Sequence, residues 1–90
     1  MVEFEWDEAK RLSNIAKHGL DFKRARQLFD GRPMLLSMTV RDGEIRFSSV
    51  GMLEDECVTA IWTVRGPKVR LVSVRSARRA ERRKYCLLYG

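Results

Sequence analysis

The sequence has few of the side chains that bind metals or act as nucleophiles. Its 90 residues include one histidine, His18, and two cysteines, Cys57 and Cys86, and its acidic residues form no dense cluster. This set is too small for the usual ligands of a zinc or magnesium site. The glycine-rich motifs of nucleotide-binding loops and the GxSxG motif of serine hydrolases are also missing. We therefore expect no metal and no cofactor, so any catalysis would use arginine, lysine, histidine, tyrosine or a carboxylate.

Long apolar runs are missing as well. No stretch approaches the roughly 20 apolar residues of a membrane span. The acidic beginning of the chain, MVEFEWDEAK, predicts neither a signal peptide nor a transit peptide. Two cysteines without a CxxC pairing are typical of a reduced, cytoplasmic protein. With 90 residues, 44% of them hydrophobic, the chain is expected to form one domain, residues 1–90, around one core.

Negative charge is nearly absent from the last part of the chain. Residues 1–64 contain nine Lys/Arg and eleven Asp/Glu, whereas residues 65–90 contain nine Lys/Arg and a single acid, Glu81. A solvated basic tail and a phosphate-binding surface are both compatible with this composition. Because these basic residues alternate with apolar positions, the pattern favours a folded, phosphate-binding surface.

Hydrophobic periodicity and turn residues predict the element order β-α-α-β-β-β-β-α. A short strand, VEFEW, precedes a helix capped by Asp7, and Asp21 caps a second helix that ends near Gly31. Four strands follow, MLLSMTV, IRFSSVGM, CVTAIWTV and VRLVSV, joined by short turns that include Asp42-Gly43. Short turns join antiparallel strands, so we expect an α+β fold with helices covering one face of a curved, mainly antiparallel sheet. A terminal helix, SARRAERRKYCLL, would have Ser76 near its N-cap.

His18 has two possible roles. With Gly19 in the left-handed conformation, Leu20 would contact Ile15, as in a Schellman ending of the first helix. A cationic residue there also suits the helix dipole, and Lys17 and His18 both qualify. Helix capping therefore explains His18 without any chemistry, although proton transfer remains open.

The terminal helix has the highest density of basic residues. Ala77, Ala80 and Leu87/Leu88 would form a narrow apolar stripe against the sheet, with the arginines outside it, namely Arg78, Arg79, Arg82 and Arg83. The like-charged pairs four residues apart repel each other modestly, which favours phosphates nearby over a merely solubilising helix. Trp6 and Trp62 are expected in the core rather than stacked on bases.

RNA cleavage is one of the few reactions that a cationic site without metal can perform. It needs a group that takes the 2′-OH proton, cations that stabilise the phosphorane, and a proton donor for the 5′-oxygen. DNA lacks the internal nucleophile.

Both ends of the chain resemble the BrnT family of type II toxins. The resemblance rests on FEWDEAKRLSNIAKHGLDFKRARQLF, on TVRG at 63–66 and on VRLVSVRSARRAERRKY, and it covers nearly the whole chain. It implies a RelE-like fold, a metal-independent ribonuclease that arrests translation, and a BrnA antitoxin with a ribbon-helix-helix part. Operator DNA would be bound only through the antitoxin complex. The chain departs from the family at Val64, where an acidic residue commonly precedes the arginine.

Together these observations predict an endoribonuclease whose site is formed by the sheet surface and the terminal helix. Arg65, Arg78 and Arg79 are the candidates for charge stabilisation. The candidates for proton transfer are Lys17, His18, Glu81 and Tyr85. The candidates for RNA binding are Arg46, Arg70, Arg75, Arg82 and Arg83, and Arg46 could also stabilise charge. The alternatives are a non-catalytic basic module that binds RNA or DNA and a subunit of a transcription-repressing complex.

Overall fold

A computed structural model describes residues 2–90 of the chain. It contains five strands, three α-helices and one 3₁₀ helix in the predicted order. The strands are β1 Glu3–Glu5, β2 Leu35–Arg41, β3 Glu44–Leu53, β4 Glu56–Arg65 and β5 Lys68–Ser76. The helices are α1 Glu8–His18, α2 Phe22–Ala25, the 3₁₀ helix Arg26–Phe29 and α3 Arg79–Tyr89.

The five strands form one sheet in the order β1-β5-β4-β3-β2. Strand β1 is parallel to β5, and the other neighbours are antiparallel. The predicted α+β fold with a mainly antiparallel sheet is thus confirmed. Asp42 and Gly43, with φ of 52° and 76°, form the tight turn between β2 and β3.

Helix α1 begins and ends where the sequence predicts. The Asp7 side chain accepts a hydrogen bond from the backbone N–H of Lys10 at 3.1 Å. At the other end Gly19 has a φ of 68°, and its N–H donates to the carbonyl of Ile15 at 2.8 Å. This confirms the predicted left-handed helix ending after His18.

Asn14 joins α1 to the sheet. Its buried side-chain amide donates to the carbonyls of Leu20 and Val74, both at 2.8 Å, and its oxygen accepts from the N–H of Val74 at 3.0 Å. Strand β1 pairs with β5 only over the range 68–70. The Asn14 amide thus satisfies the β5 backbone beyond the end of β1, where its polar groups would otherwise be buried without partners.

Two hydrophobic clusters lie on opposite faces of the sheet. The larger cluster joins α2 and the 3₁₀ helix to Val58 and Ala60 of β4. The smaller cluster contains Tyr85 of α3 together with Val50 and the partly buried Cys57. Because successive strand residues point to opposite faces, α3 covers the face opposite to α2. The expectation that all helices cover one face is wrong, since the chain crosses to the other side after β5.

The start and the buried side of α3 also differ from the prediction. Strand β5 continues to Ser76, which pairs with Val58, so Ser76 is not a helix cap. The helix begins three residues later, and its sheet-facing side is formed by the half-buried Glu81 and the buried Tyr85, four residues apart. Of the predicted apolar stripe Ala77 is buried, but Ala80 is exposed and Leu87 and Leu88 are 81% and 62% exposed, so the prediction is wrong for these three residues. The four helix arginines are exposed as predicted, namely Arg78, Arg79, Arg82 and Arg83.

Candidate functional site

A groove lined by four arginines lies on the α3 face of the sheet. It has a volume of about 340 Å³ and runs between the start of α3 and the open half of β2 and β3. We call it the arginine groove. Its basic lining consists of Arg41, Arg46, Arg75 and Arg78, and its other polar lining consists of Thr39, Ser48 and Glu81.

Strand register brings these side chains to one face. Thr39 lies opposite Arg46 in the β2–β3 pair, Ser48 lies opposite Ile61 in the β3–β4 pair, and Thr59 lies opposite Arg75 in the β4–β5 pair. Residues directly opposite each other point to the same side of an antiparallel sheet. Residues far apart in sequence are therefore brought to one surface by the strands, without any long loop.

Glu81 forms the densest polar network of the groove. Its carboxylate accepts two hydrogen bonds from the Arg75 guanidinium, at 2.7 and 3.1 Å. It also accepts from the Thr59 hydroxyl at 3.0 Å and from the backbone N–H of Arg78 at 2.7 Å. The hydrogen bond from Arg75, followed by that from the Arg78 backbone, lowers the pKa of Glu81 from 4.5 to about 2. Such a carboxylate is ionised at neutral pH and is a weak proton acceptor. It orients Arg75, and by accepting the backbone N–H of Arg78 it caps the beginning of α3.

Among the described residues, Arg46 contributes a buried side-chain donor without a partner to the groove. Its Nε is buried and has no hydrogen-bond partner within residues 2–90. A buried unpaired N–H is costly, and an anionic oxygen in the groove would be a suitable acceptor. Four arginines and one glutamate give the lining a formal charge of +3. The groove is therefore suited to bind an anion such as a phosphodiester.

The remaining candidate arginines lie elsewhere. Arg70 pairs with Glu5 on the β1–β5 side of the sheet. Arg65, at the end of β4, lines a separate depression with Val64 and Glu44. The other three are on exposed positions of α3 and do not line the groove, namely Arg79, Arg82 and Arg83.

Of the four candidates for proton transfer, the structure places one in the groove, Glu81. Lys17 and His18 line a separate depression of about 220 Å³ at the end of α1, and His18 is exposed. The Tyr85 hydroxyl donates to the carbonyl of Pro33 at 3.3 Å, and burial raises the pKa of Tyr85. The structure thus separates the sequence candidates into one local group, Arg46, Arg75, Arg78 and Glu81, and several distant residues.

Arg41 is the groove arginine that sequence reasoning missed, and Thr39 and Ser48 were not among its candidates either. The signal for Arg41 was present, because the two-residue Asp42-Gly43 turn sets the hairpin register. Once Thr39 faces Arg46, alternation along β2 brings Arg41 to the same face.

The tryptophans lie with the core, as predicted. Both are half-buried beside the larger cluster. Trp62 stacks on Phe47 at a centroid distance of 4.5 Å, and its indole N–H donates to the Ser49 hydroxyl at 2.9 Å. This places the Trp62 ring on the face opposite to the groove.

Residues 2–90 contain no group of three or more histidine, cysteine, aspartate or glutamate side chains placed to hold a metal ion. Within the same described part of the chain, none of the helices has the length and apolar character needed to cross a membrane.

Comparison with known protein families identifies the chain. Residues 6–81 match the model of the family described as ribonuclease toxin, BrnT, of type II toxin-antitoxin system. No curated protein shows significant similarity to it. The matched range contains every element from α1 to β5 and the first three residues of α3, including all of the arginine groove, whereas β1 lies before it. The chain therefore belongs to the BrnT family of ribonuclease toxins of type II toxin–antitoxin systems.

Proposed function

We propose that this toxin is an endoribonuclease that cleaves RNA without a metal ion, by attack of the 2′-OH on the neighbouring phosphate in the arginine groove. The observation that carries the proposal is the convergence of four arginines on one groove, with the buried Nε of Arg46 unpaired. The +3 lining attracts phosphate and repels a divalent cation. Its one carboxylate is already engaged by Arg75.

The arginines would act mainly on the transition state. As the 2′-oxygen forms a bond to phosphorus, negative charge grows on the non-bridging oxygens, and the bond to the 5′-oxygen then breaks. Arg46, Arg75 and Arg78 are the proposed donors to those oxygens, and Arg41 the proposed contact to a neighbouring phosphate. Donors that are held in place before the reaction stabilise such charge without further reorganisation. In this scheme Glu81 positions Arg75.

The groove supplies charge stabilisation rather than a strong base. With the pKa of Glu81 near 2 and His18 outside the groove, we propose that water or hydroxide takes up the 2′-OH proton and that water protonates the departing 5′-oxygen. The cleavage rate would then rise with pH through the neutral range. A bell-shaped profile centred near the pKa of histidine would instead assign proton transfer to His18.

Family membership supports the wider biological role. A ribonuclease toxin of a type II system has a protein antitoxin as partner. We propose that RNA cleavage arrests translation and that the antitoxin is of the BrnA type, with a ribbon-helix-helix part through which the complex binds operator DNA. A RelE-like arrangement of the site belongs to the same proposal.

The test is cleavage of a defined RNA in the presence of EDTA. We expect activity to persist, the products to carry 2′,3′-cyclic phosphate or 3′-phosphate ends, and a 2′-deoxy substitution at the scissile position to block cleavage. Arg46→Ala and Arg75→Ala should each lose about a hundredfold or more in rate. The matched control is Arg26→Ala, an exposed arginine of the 3₁₀ helix on the opposite face of the sheet.

Two results would contradict the proposal. One is activity that disappears in EDTA and returns with magnesium. The other is an equal loss of cleavage rate in the Arg26→Ala control, because the effect would then come from the net charge of the protein and not from the arginines of the groove. RNA binding by the wild type without any cleavage would leave the alternative of a non-catalytic binding module.

A further inference from the structure

Strand β2 is an edge strand that nothing covers within residues 2–90. It is last in the sheet order and pairs only with β3. Two hydroxyls of α3 reach the segment just before it, Tyr85 to Pro33 and Tyr89 to Met34, and none reaches the strand itself. Alternate residues of this seven-residue strand thus direct backbone N–H and C=O groups to the outer side, which is a template for another strand.

The two faces of β2 differ in chemistry. On the face opposite to the groove Leu36, Met38 and Val40 are 53%, 63% and 70% exposed. Ile45 and Val64, on β3 and β4, are also exposed, at 47% and 53%. We call these five residues the apolar stripe. Contiguous exposed apolar surface of this kind commonly marks a protein contact.

The other face of β2 belongs to the arginine groove. Thr39 and Arg41 both line it, and Arg46 lies directly opposite Thr39 on β3. A strand added beside β2 would therefore have apolar surroundings on one side and arginines on the other. The chemistry that matches this environment is an alternation of apolar and acidic residues, because neighbouring side chains of a strand point to opposite faces.

We propose that the antitoxin neutralises this toxin by adding a strand of alternating apolar and acidic residues to the free edge of β2. The identity of this partner rests on the proposed function. The apolar residues of the added strand pack against Leu36, Met38 and Val40, and its carboxylates bind Arg41 and extend towards Arg46. The same segment then gains affinity by burial and occupies the groove in place of RNA phosphates.

Charge argues against a second copy of the toxin as the occupant. The chain has a formal net charge of +6. Pairing two β2 edges would bring both arginine grooves together without any added acid. An acidic partner would have complementary charge.

The experiment uses two synthetic ten-residue peptides of the same composition. One alternates valine and glutamate, and the other has all valines before all glutamates. The alternating peptide should bind the full-length toxin at least about tenfold more tightly, because only it can bury apolar side chains while its carboxylates face the arginines. Hydrogen exchange should slow in residues 35–41, and the peptide should inhibit RNA binding competitively.

Variants locate the contact. Met38→Lys and Val40→Lys should each weaken binding of the alternating peptide at least about tenfold through the loss of apolar burial. Both should retain RNA cleavage, because these side chains lie on the face opposite to the groove. Leu87→Lys, at an 81% exposed apolar residue of α3, is the matched control and should bind like the wild type.

Equal affinity for the two peptides, or exchange protection outside β2, would overturn the inference. So would a wild-type dimer that Met38→Lys converts to a monomer, since a second copy would then cover the edge. The outcomes also separate the two proposals. Wild type that binds the peptides as expected but never cleaves RNA contradicts the proposed function alone. Wild type that cleaves RNA but binds no alternating peptide contradicts the β2 inference alone.

Discussion

Replacing Glu81 by glutamine tests the polar network that joins α3 to the groove. Glutamine keeps an oxygen that can accept the backbone N–H of Arg78, so the beginning of α3 is preserved. It removes the negative charge beside Arg75, whose side chain is only 18% exposed. The substitution therefore isolates the ion pair from the helix cap.

The expected loss of folding stability in Glu81→Gln follows from the lowered pKa of Glu81. A fall from 4.5 to about 2 corresponds to roughly 3 kcal/mol of stability at neutral pH. The Glu81 side chain is 24% exposed, and solvent screening reduces the expected contribution to about 2 kcal/mol. For a chain of this size the melting temperature should fall by about 10 °C.

The pH dependence distinguishes this effect from lost packing. Because the pKa is lower in the folded state, the stabilisation by Glu81 is complete above pH 4.5 and is lost as the pH falls towards 2. At pH 2.5 the difference between wild type and Glu81→Gln should shrink to about a quarter of its value at pH 7. Urea unfolding monitored by tryptophan fluorescence measures both values.

Glu8→Gln is the control, since Glu8 also pairs with an arginine, Arg11, but its side chain is 61% exposed. It should change stability much less than Glu81→Gln. A Glu81→Gln protein as stable as wild type at pH 7, or equally destabilised at both pH values, would refute the electrostatic reasoning. Glu81→Gln should also bind RNA more tightly but cleave it more slowly. The charge of Arg75 is then no longer neutralised by Glu81, but its side chain is no longer held in orientation.

Three other predictions concern the helix ending, the attachment of α1 to β5 by Asn14, and RNA binding. His18→Asn should reduce the rate of RNA cleavage less than about tenfold, because His18 lies outside the groove, whereas loss of a positioned acid or base would cost more than that. Gly19→Ala should keep activity but lower the free energy of unfolding by about 1 kcal/mol, since the φ of 68° at this position strains alanine. Asn14→Ala should cost about 2–4 kcal/mol in urea unfolding, because Val74 would keep a buried N–H and carbonyl without partners. RNA affinity should fall with salt at a slope of about −0.7 per phosphate contact, and a slope unchanged in Arg82→Ala would exclude that exposed arginine from the interface.

Much of the fold could be predicted because local signals determine it. Asp7, Gly19 and Asp21 act through contacts within a few residues, and Asp42-Gly43 fixes the β2–β3 hairpin by backbone conformation alone. These features need no knowledge of distant parts of the chain, which is why element order and sheet type were predicted correctly.

The errors occurred where distant residues decide. Serine is a residue type common at helix N-caps, but pairing with Val58 keeps Ser76 in β5. Leu87 and Leu88 are apolar and are therefore predicted to be buried. The contacts of Tyr85 with the sheet set the rotation of α3 about its axis, and both leucines are exposed as a result. Sequence periodicity cannot reveal such contacts, because they depend on how far the preceding strand extends.

The candidate site could be predicted only in part for the same reason. The basic segment 65–90 is predicted from composition to be a phosphate-binding surface, and Arg75, Arg78 and Glu81 from it line the groove. Arg46 and Arg41 come from the first hairpin. Which arginines of the segment face the groove depends on the sheet register, and composition alone treats them as equivalent.

The two faces of the sheet differ in what covers them and in what they leave exposed. One face has α2 and the 3₁₀ helix on its central strands and leaves the apolar stripe exposed towards β2. The other face has α3 at one end and the arginine groove at the other. Because β2 contributes to both open regions, a partner bound along its edge would contact both at once. Inhibition by such a partner would then require no conformational change of the toxin, and both the apolar stripe and the groove arginines would contribute to its affinity.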